Sequence, residues 1–550
     1  MTTPRAMNKR NQPALVRTQI AVWGLTALLV LAGGSRPVQA QEPESERPNI
    51  VFIFSDDHAV QALGAYGGRL AGVNPTPEID RLAEEGMLFR NAFVTNSICA
   101  PSRAAILSGQ FGHMNGVRTN QQEDSLAASV TTFPELLQDA GYQTAMIGKW
   151  HLKSDPQGFD YWEVLPGQGV YYNPTFRTAG GKTEYTGYVS KIITDRAVRW
   201  LQEDRSEDEP FLLMYQHKAP HRNWQPGPDH LTTYDDIKVP APRSLFYDYL
   251  GLSTPAVMQE MEVANDLSWG WDLKLRRKPG SPDSTTSWQE RLGNRFTPEQ
   301  RRAWNSAYSP KNQEFYQAYR NDELQGRDLT RWKYQRYIKD YLRSIASMDD
   351  AIGRLLDELD RQGVSDETIV VYSSDQGFFL GEKGWFDKRW MYEESLRMPL
   401  LVRWPGAVEA GSESTALVQN LDVAQTFLDA AGVNAPDAMQ GRSMVPLLRG
   451  EASSEGWRDA IYYHYYEYPG PHSVMPHEGV RTDRYKLIHH YWVDQWALFD
   501  LKTDPRELNN LYGHPDYADV TERLKEKLRA LKDQYEVPDE ATEGGPAPQR

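Results

Sequence analysis

Cysteine is nearly absent from this sequence: Cys99 is the one thiol among 550 residues. A single cysteine excludes an intrachain disulfide. A free thiol in an exported protein is also open to oxidation, so its presence at one position needs a chemical explanation.

Positive charge is in deficit. The chain has 60 Lys and Arg against 75 Asp and Glu, a formal net charge of −15. Such a surface repels nucleic acid and acidic lipid, and neither is expected as a partner. If the substrate is an anion, its site must gather cations locally against the overall field.

Long apolar runs are lacking after the first forty residues, where none approaches the roughly 18 residues of a membrane span. Before that, basic residues precede "IAVWGLTALLVLAGG", which leads to the small-residue pattern Val38-Gln39-Ala40. We expect residues 1–40 to be a secretory signal, with an uncleaved membrane anchor as the alternative. Cleavage before Gln41 would leave an exported protein, periplasmic or secreted, with a net charge of about −20 and no integral membrane anchor.

Four apolar runs each end in polar residues, and helical patterns at 133–139, 189–203 and 333–361 lie between them. The runs are "NIVFIFSDDH", "YQTAMIGKWH", "PFLLMYQHKAPH" and "TIVVYSSDQG". Buried strands alternating with helices predict an α/β fold with a large, mostly parallel central sheet sandwiched by helices.

The pattern changes twice along the chain. A main domain is predicted at 41–439, with an insertion of loops and short helices at 225–330. From 440 to 537 the runs alternate like antiparallel strands before an amphipathic helix at 517–535, which predicts a smaller α+β subdomain. Residues 538–550 are predicted to be a disordered tail.

Acidic residues follow two of the predicted strands: Asp56 and Asp57 after the first, Asp375 with Gln376 after the last. Parallel strands bring their carboxyl ends to one edge of a sheet, where ligands bind. Three carboxylates and an amide oxygen suit Ca²⁺ or Mg²⁺ and not zinc. Helix capping is the alternative for the first pair alone.

Cationic side chains are scattered near other strand ends and helix starts: Arg103, Lys149, His151, His221 and Lys388. Each alone is explained by a solvated face or a structural histidine. Together with a metal they resemble the way phosphoryl- and sulfuryl-transfer sites stabilise negative charge.

The segment "CAPSRAAILSG", residues 99–109, matches the pattern C-x-P-S-R-x-x-x-L-x-G at every fixed position. It resembles the signature of the type I sulfatases, members of the alkaline phosphatase-like superfamily. In that family the cysteine is oxidised to the aldehyde formylglycine, which would explain the unpaired thiol. The alternative is a buried cysteine beside a proline-initiated helix.

The resemblance extends over nearly the whole mature chain and implies a sulfuric ester hydrolase. It implies that a maturation enzyme converts Cys99, and that Ca²⁺, or Mg²⁺, binds Asp56, Asp57, residue 99, Asp375 and Gln376. One departure stands out, because many relatives have Asn or His where this chain has Gln376. A glutamine carbonyl still ligates, although its extra methylene shifts the metal or admits a water.

The resemblance also implies roles for the cations. The hydrated aldehyde attacks sulfur, Lys149 and Lys388 neutralise the sulfuryl oxygens, and Arg103 supports the diol. His221 is the expected general acid for the leaving alkoxide, and His151 is the expected base for the second hydroxyl.

The segments "HKAPHRNW" and "FDKRWMYEESLRMPLLVRWPG" look most like bacterial N-acetylglucosamine-6-sulfatases, which act on a sulfated saccharide of glycosaminoglycan or mucin type. His217, Asp387, Arg389 and His477 are the expected substrate-binding residues, with His472 near the mouth and "GQGVYYNP" as a stacking loop. Other interpretations stay open at this point: a sulfatase of 2-O-sulfated uronates or algal polysaccharides, a phosphonate or phosphodiester hydrolase, or an inactive sulfated-glycan binding protein.

Overall fold

A computed structural model describes most of the chain from Arg47 onward. The described residues are 47–73, 76–121, 125–127, 129–275 and 295–539. The predicted signal at 1–40 lies outside them, as does the predicted tail beyond residue 539. Because the described residues belong to one compact unit, the domain boundary near residue 440 stays a prediction.

The centre of the fold is a ten-stranded sheet. Its strands are β1 (Asn49–Ser55), β2 (Met87–Phe89), β3 (Gln143–Lys149), β4 (Tyr161–Leu165), β5 (Thr175–Thr178), β6 (Gly181–Glu184), β7 (Phe211–Gln216), β8 (Thr368–Ser374), β9 (Leu400–Arg403) and β10 (Ser412–Ser414). Their spatial order is β10-β2-β9-β8-β1-β7-β3-β4-β5-β6. The five middle strands, β8 to β4, run parallel, and antiparallel strands flank them on both sides.

Both faces of this sheet are covered, as the apolar runs predicted. Along β1, Ile50 and Phe52 belong to one core cluster, whereas Val51 and Ile53 belong to another. Successive side chains of a strand point to opposite faces, so a continuous apolar run requires a core on each side.

The helices include those that the sequence patterns predicted near 133–139, 189–203, 333–361 and 517–535, together with others that the patterns did not indicate. They are Pro77–Glu84, Cys99–Ser108, Gly112–Asn115, Phe133–Asp139, Val189–Arg199, Thr254–Val257, Pro298–Arg320, Gly326–Gln362, Glu393–Leu396, Asp422–Ala430, Val445–Leu448 and Ala518–Gln534. The helix predicted at 189–203 ends in a π-helical turn, Trp200–Asp204. No helix in the described ranges has the length and apolar character needed to cross a membrane.

The insertion differs from its prediction as loops and short helices. It contains the 23-residue helix Pro298–Arg320, which begins with a capping box between Thr297 and Gln300. Trp304 and Tyr308, four residues apart, are buried on one side of that helix. Two aromatic residues and a cap therefore fix a long helix in a segment that is otherwise polar.

The C-terminal part forms a separate antiparallel sheet of four strands, β11 (Ala460–Tyr465), β12 (His477–Thr482), β13 (Tyr485–His490) and β14 (Gln495–Asp500), paired in chain order. Helix Ala518–Gln534 packs on it through Leu524, Leu528 and Leu531, which recur every three or four residues. The predicted fold class, a large mostly parallel sheet between helices plus a small antiparallel sheet, is confirmed.

The four chemistry-bearing segments emerge at one edge of the large sheet. Ser55 at the end of β1 pairs with Ser374 at the end of β8, so Asp56 and Asp375 leave the sheet at the same level. Strands β7 and β3 lie beside β1 in the same direction. The carboxyl edge of the parallel strands thus places the site.

Candidate active site

The signature segment forms a single buried helix. Cys99 is its first residue, Arg103 lies one turn later, and Gly109 ends it with φ +62°. A side chain at Gly109 would also meet Gln425 at 3.0 Å. The fixed offsets of the pattern therefore place Cys99 and Arg103 on one helix face and require glycine where the helix stops.

Three buried carboxylates surround the thiol of Cys99. Ligand oxygens of Asp56, Asp57 and Asp375 all lie within 4.8 Å of one another. The three side chains have no solvent exposure, and Oδ1 of Asp56 lies 3.5 Å from Sγ of Cys99. Asp57 has φ +69°, and its N–H donates to Oδ1 of Asp375 at 2.9 Å.

These carboxylates repel one another electrostatically. Burial, aided by the charge of Asp56, raises the pKa of Asp57 to about 6 despite Lys388. Burial and the same neighbour raise the pKa of Asp375 well above its usual value. Burial also acts to raise the pKa of Asp56, but the positive charges of Lys149, His221 and Arg103 outweigh it and hold that pKa well below its usual value. Additional positive charge at the cluster would favour ionisation of all three carboxylates.

The donor set fits a hard divalent cation. Besides the three carboxylates, Gln376 has a buried Oε1 without a hydrogen-bond partner among the described residues. Its Nε2 donates to Asp57 and Asp375, and the two ends of an amide are interchangeable in such an assignment. A cation bound here would neutralise the carboxylates, and a turn of the Gln376 amide would bring its unpartnered oxygen to the same place. All-oxygen ligands of this kind suit Ca²⁺ or Mg²⁺.

Two lysines face the thiol from different elements. Lys149, at the end of β3, pairs with Asp56, and its Nζ donates to Oε1 of Gln168 at 2.6 Å. Nζ of Lys388 lies 2.6 Å from Oδ1 of Asp57 and 3.5 Å from Sγ of Cys99. Both ammonium groups thus lie where a ligand at Cys99 would need positive charge.

Arg103 holds the site together from below. Its guanidinium contacts Oδ2 of Asp375 at 3.3 Å and donates to the carbonyl of Lys149 at 2.7 Å. It also donates to Oε1 of Gln216 at 2.6 Å. With 3% exposure, Arg103 ties the acidic cluster to the ends of β3 and β7.

His151 and His221 both line the cavity above Cys99. Nδ1 of His221 donates to the carbonyl of Arg222 at 2.6 Å, which leaves Nε2 3.7 Å from Oδ2 of Asp57. His151 is held at φ +59°. Burial, together with the charge of Lys149, lowers the pKa of each imidazole well below its usual value.

The cavity has a volume of about 350 Å³ and is lined almost entirely by polar side chains. Its walls are Asn120, Gln121, His151, Gln168, His221, Arg222, Asp387, Lys388, Arg389, Glu467, Pro471 and His472. Sequence reasoning missed Gln168, Arg222 and Glu467 as wall residues. Arg222 immediately follows His221 in the sequence, whereas the other two lie in loops whose placement only the fold reveals.

Asp387 and Arg389 line the cavity as expected, but two other candidates do not. His477 is buried away from it: Nδ1 donates to the carbonyl of Met475 at 2.8 Å, and Nε2 accepts from the N–H of Met391 at 3.1 Å. Both ring nitrogens are therefore used inside the protein. His217 is fully buried against Tyr215 and lies outside the cavity wall.

The tyrosines of the loop "GQGVYYNP" do not form a stacking surface for a sugar ring. Tyr171 and Tyr172 are buried, at 0% and 2% exposure. The hydroxyl of Tyr171 donates to the carbonyl of His221 at 2.6 Å. This loop contributes a wall residue, Gln168, and a support for His221 instead.

Two family profiles match the chain. The profile described as "Sulfatase" covers residues 48–433, and "N-sulphoglucosamine sulphohydrolase, C-terminal" covers residues 381–534. A curated relative, the N-acetylglucosamine-6-O-sulfatase of Bacteroides thetaiotaomicron, is 47% identical over 514 residues, 92% of this chain and 90% of that protein. An ulvan-active sulfatase of Formosa agariphila is 26% identical over 91% of this chain and 84% of its own length.

Among solved structures, that of BT4656 in complex with its substrate D-glucosamine-2-N,6-O-disulfate superimposes with a TM-score of 0.84. The match is 46% identical and covers 90% of this chain and 99% of that one. A profile that spans most of the chain, and a relative of this identity and coverage, agree with the signature at Cys99. The chain belongs to the sulfatase family.

Proposed function

We propose that this sulfatase hydrolyses the 6-O-sulfate ester of N-acetylglucosamine residues in a glycosaminoglycan or mucin-type saccharide. The observation that carries the proposal is the convergence of Lys149, Lys388 and three buried carboxylates on Cys99 beneath an open polar cavity. The relative that is 47% identical is an N-acetylglucosamine-6-O-sulfatase, which supports the choice of sugar.

Cys99 is proposed to act after conversion to formylglycine by a maturation enzyme of the host. Burial raises the pKa of its thiol well above the usual value despite Lys149 and Lys388, so the unmodified side chain would be a poor nucleophile. Formylglycine, once formed and hydrated, supplies an oxygen nucleophile with a second hydroxyl for release of the sulfate.

Asp56, Asp57, Asp375 and Gln376 are proposed to hold Ca²⁺ beside residue 99, with Mg²⁺ as the alternative. A bound divalent cation supplies positive charge for the sulfuryl oxygens and for the nucleophile. The buried carboxylates and the unpartnered oxygen of Gln376 support this assignment.

Lys149 and Lys388 are proposed to bind the sulfate oxygens. Each ammonium group is paired with an aspartate, and bound metal would leave both free to turn toward an anion. Arg103 would keep Asp375 and the end of β3 in position while the charge shifts.

The two histidines are proposed to move the protons. Nδ1 of His221 is committed to a backbone carbonyl, so Nε2 is the atom that would carry a proton to the leaving sugar oxygen. An anionic substrate nearby raises the pKa of an imidazole and would favour that protonated form. His151, which lines the same cavity, is proposed as the base toward residue 99.

Asp387 and Arg389 are proposed to bind sugar hydroxyls at the cavity wall, with His472 beside them. Nε2 of His472 lies 3.2 Å from Oδ2 of Asp387, and Arg389 lies 3.5 Å from both Asp387 and Glu467. These charged groups satisfy one another, as expected of a preorganised polar wall. Export through the signal at 1–40, to the periplasm or the medium, belongs to the same proposal.

The substrate assignment is tested with monosaccharides that differ in the position of one sulfate. Matured protein is expected to release sulfate from N-acetylglucosamine 6-sulfate with kcat/KM at least about tenfold above that for the 3-sulfate, because the walls orient one position toward Cys99. A 2-O-sulfated uronate and an aryl phosphonate monoester serve as controls. Faster turnover of either control would overturn the assignment.

A second prediction concerns the sugar wall. Asp387→Asn should lower kcat/KM for N-acetylglucosamine 6-sulfate by about ten- to a hundredfold, because a charged hydrogen bond contributes about 1.5–3 kcal/mol. Turnover of a small aryl sulfate, which lacks sugar hydroxyls, should change much less. Asp422→Asn is the matched control, since Asp422 is equally buried and paired with Arg458. Equal losses on both substrates would assign Asp387 to the chemistry and not to the sugar.

A further inference from the structure

The loop that carries Lys388 has an unusual backbone. Asp387 has φ +78° and Arg389 has φ +92°, so the residues on both sides of the lysine adopt conformations that disfavour side chains. Regular structure is limited to a two-residue strand, Phe386–Asp387. Such a backbone persists only where surrounding groups hold it.

The small antiparallel sheet supplies those groups. The hydroxyl of Tyr463, on β11, donates to the carbonyl of Arg389 at 3.0 Å. The ring of His477, on β12, accepts from the N–H of Met391 at 3.1 Å. Two backbone groups of the loop are thus bound by side chains of neighbouring strands.

A buried ion cluster continues the same row. Nζ of Lys486, on β13, donates to the carbonyl of Met391 at 2.7 Å and lies 2.7 Å from Glu507 and 2.9 Å from Glu393. Glu507 in turn accepts from the N–H of Glu393 at 2.7 Å. Lys486 and Glu507 have no solvent exposure, so these contacts are made away from water.

We propose that the C-terminal sheet acts as a template for the loop and thereby places Lys388 for sulfate binding. Tyr463 and Lys486 are positioning residues that do not line the cavity. Each binds the backbone of the loop, at Arg389 and Met391 respectively, and the hydroxyl of Tyr463 also accepts from the N–H of Ser97 at 3.3 Å. The inference rests on the proposed role of Lys388 as a sulfate ligand. It gives the C-terminal sheet a function in anion binding beyond its contribution to the core.

Tyr463→Phe is the mildest test, since it removes one hydroxyl. Tyr462→Phe is its matched control: the two tyrosines are adjacent on β11, equally buried, and face opposite sides of the sheet. The hydroxyl of Tyr462 donates to Glu478 at 2.8 Å, so the control also loses a buried hydrogen bond. Both variants are made in a Cys99→Ser background, which removes any heterogeneity from maturation.

Inorganic sulfate is the probe, titrated by calorimetry into each protein alongside thermal unfolding. We expect Tyr463→Phe to raise the Kd for sulfate about five- to tenfold. Tyr462→Phe should change this Kd less than about twofold, and the two variants should have similar Tm values. Lys486→Met should raise the Kd for sulfate by more than Tyr463→Phe does. Lys333→Met is its control, because Lys333 is also buried and donates to a backbone carbonyl, that of Ala264.

The outcomes separate the two proposals. Two results would overturn the template proposal: an equal rise in the Kd for sulfate in Tyr463→Phe and Tyr462→Phe, or no sulfate binding to the parent protein. The template proposal is likewise overturned if Tyr463→Phe still raises the Kd for sulfate in a Lys388→Ala background, because its effect would then not depend on Lys388. The matured enzyme could fail to hydrolyse N-acetylglucosamine 6-sulfate while the Kd values for sulfate change as expected. That result would refute the substrate assignment and support the template proposal.

Discussion

Replacing Cys99 with alanine should abolish desulfation of N-acetylglucosamine 6-sulfate, with a loss of at least about 10⁴-fold in kcat. The reason is that the proposed metal ligands and sulfate-binding lysines gather around this one side chain. Lys388 and Asp56 both lie 3.5 Å from its sulfur, and no other thiol exists in the chain. Because the change deletes a single buried sulfur, the Tm should shift by only a few degrees.

Mass spectrometry of the tryptic peptide 91–103 makes this prediction decisive. Conversion of cysteine to formylglycine lowers the peptide mass by about 18 Da, and activity should scale with the converted fraction. Cys99→Ser is the second variant, since it retains a hydroxyl but not the aldehyde. Full activity in a preparation whose Cys99 is entirely thiol would refute the proposed nucleophile.

Removal of divalent cations should be nearly as damaging. Chelation is expected to reduce turnover at least about a hundredfold, because Asp56, Asp57 and Asp375 lose the charge that lets them ionise together. Stability should fall as well: a ligand at a hundred times its Kd stabilises the folded state by about 2.7 kcal/mol. Adding Ca²⁺ to chelated protein should therefore raise the Tm by a few degrees, and Mg²⁺ should be compared directly.

Two variants separate a specific site from general ion binding. Asp375→Asn should abolish the rise in Tm on addition of Ca²⁺, because it removes one of the three converging carboxylates. Asp349→Asn should retain the rise in Tm. Asp349 is also a buried acid, but its carboxylate caps helix Pro77–Glu84, which is distant from it in the sequence. A calcium effect that survives Asp375→Asn would move the metal elsewhere.

The strands, the covering helices and the edge where the site lies were predictable because they depend on local patterns. An apolar run of five residues such as 50–54 in β1 is best explained as a buried strand, and the ends of parallel strands meet at one edge. Asp56 and Lys149 could be placed near that edge from this rule, whereas His221 was chosen over His217 from the resemblance to sulfatases. The long helix Pro298–Arg320 was missed because its sequence is mostly polar and its apolar residues are few.

The cavity walls could not be predicted, because they come from loops whose course depends on distant contacts. Gln168 and Glu467 are far apart in the sequence, and only the folded chain brings both to the wall of the same cavity. His477 was misplaced for the same reason: its strand turns it toward Met391 instead of the cavity. A polar residue near a strand end has two directions available, and only the pairing register decides between them.

The carboxyl edge of the large sheet also separates two kinds of change in evolution. The groups proposed for sulfur chemistry, apart from Lys388, sit within a few residues of strand ends or at a helix start, where the core fixes them. Asp387 and Arg389, proposed for the sugar, sit with Lys388 on a connection that the small sheet supports. Altered side chains on that connection can thus retarget the enzyme to a new sulfated saccharide, provided that the backbone around Lys388 keeps its course.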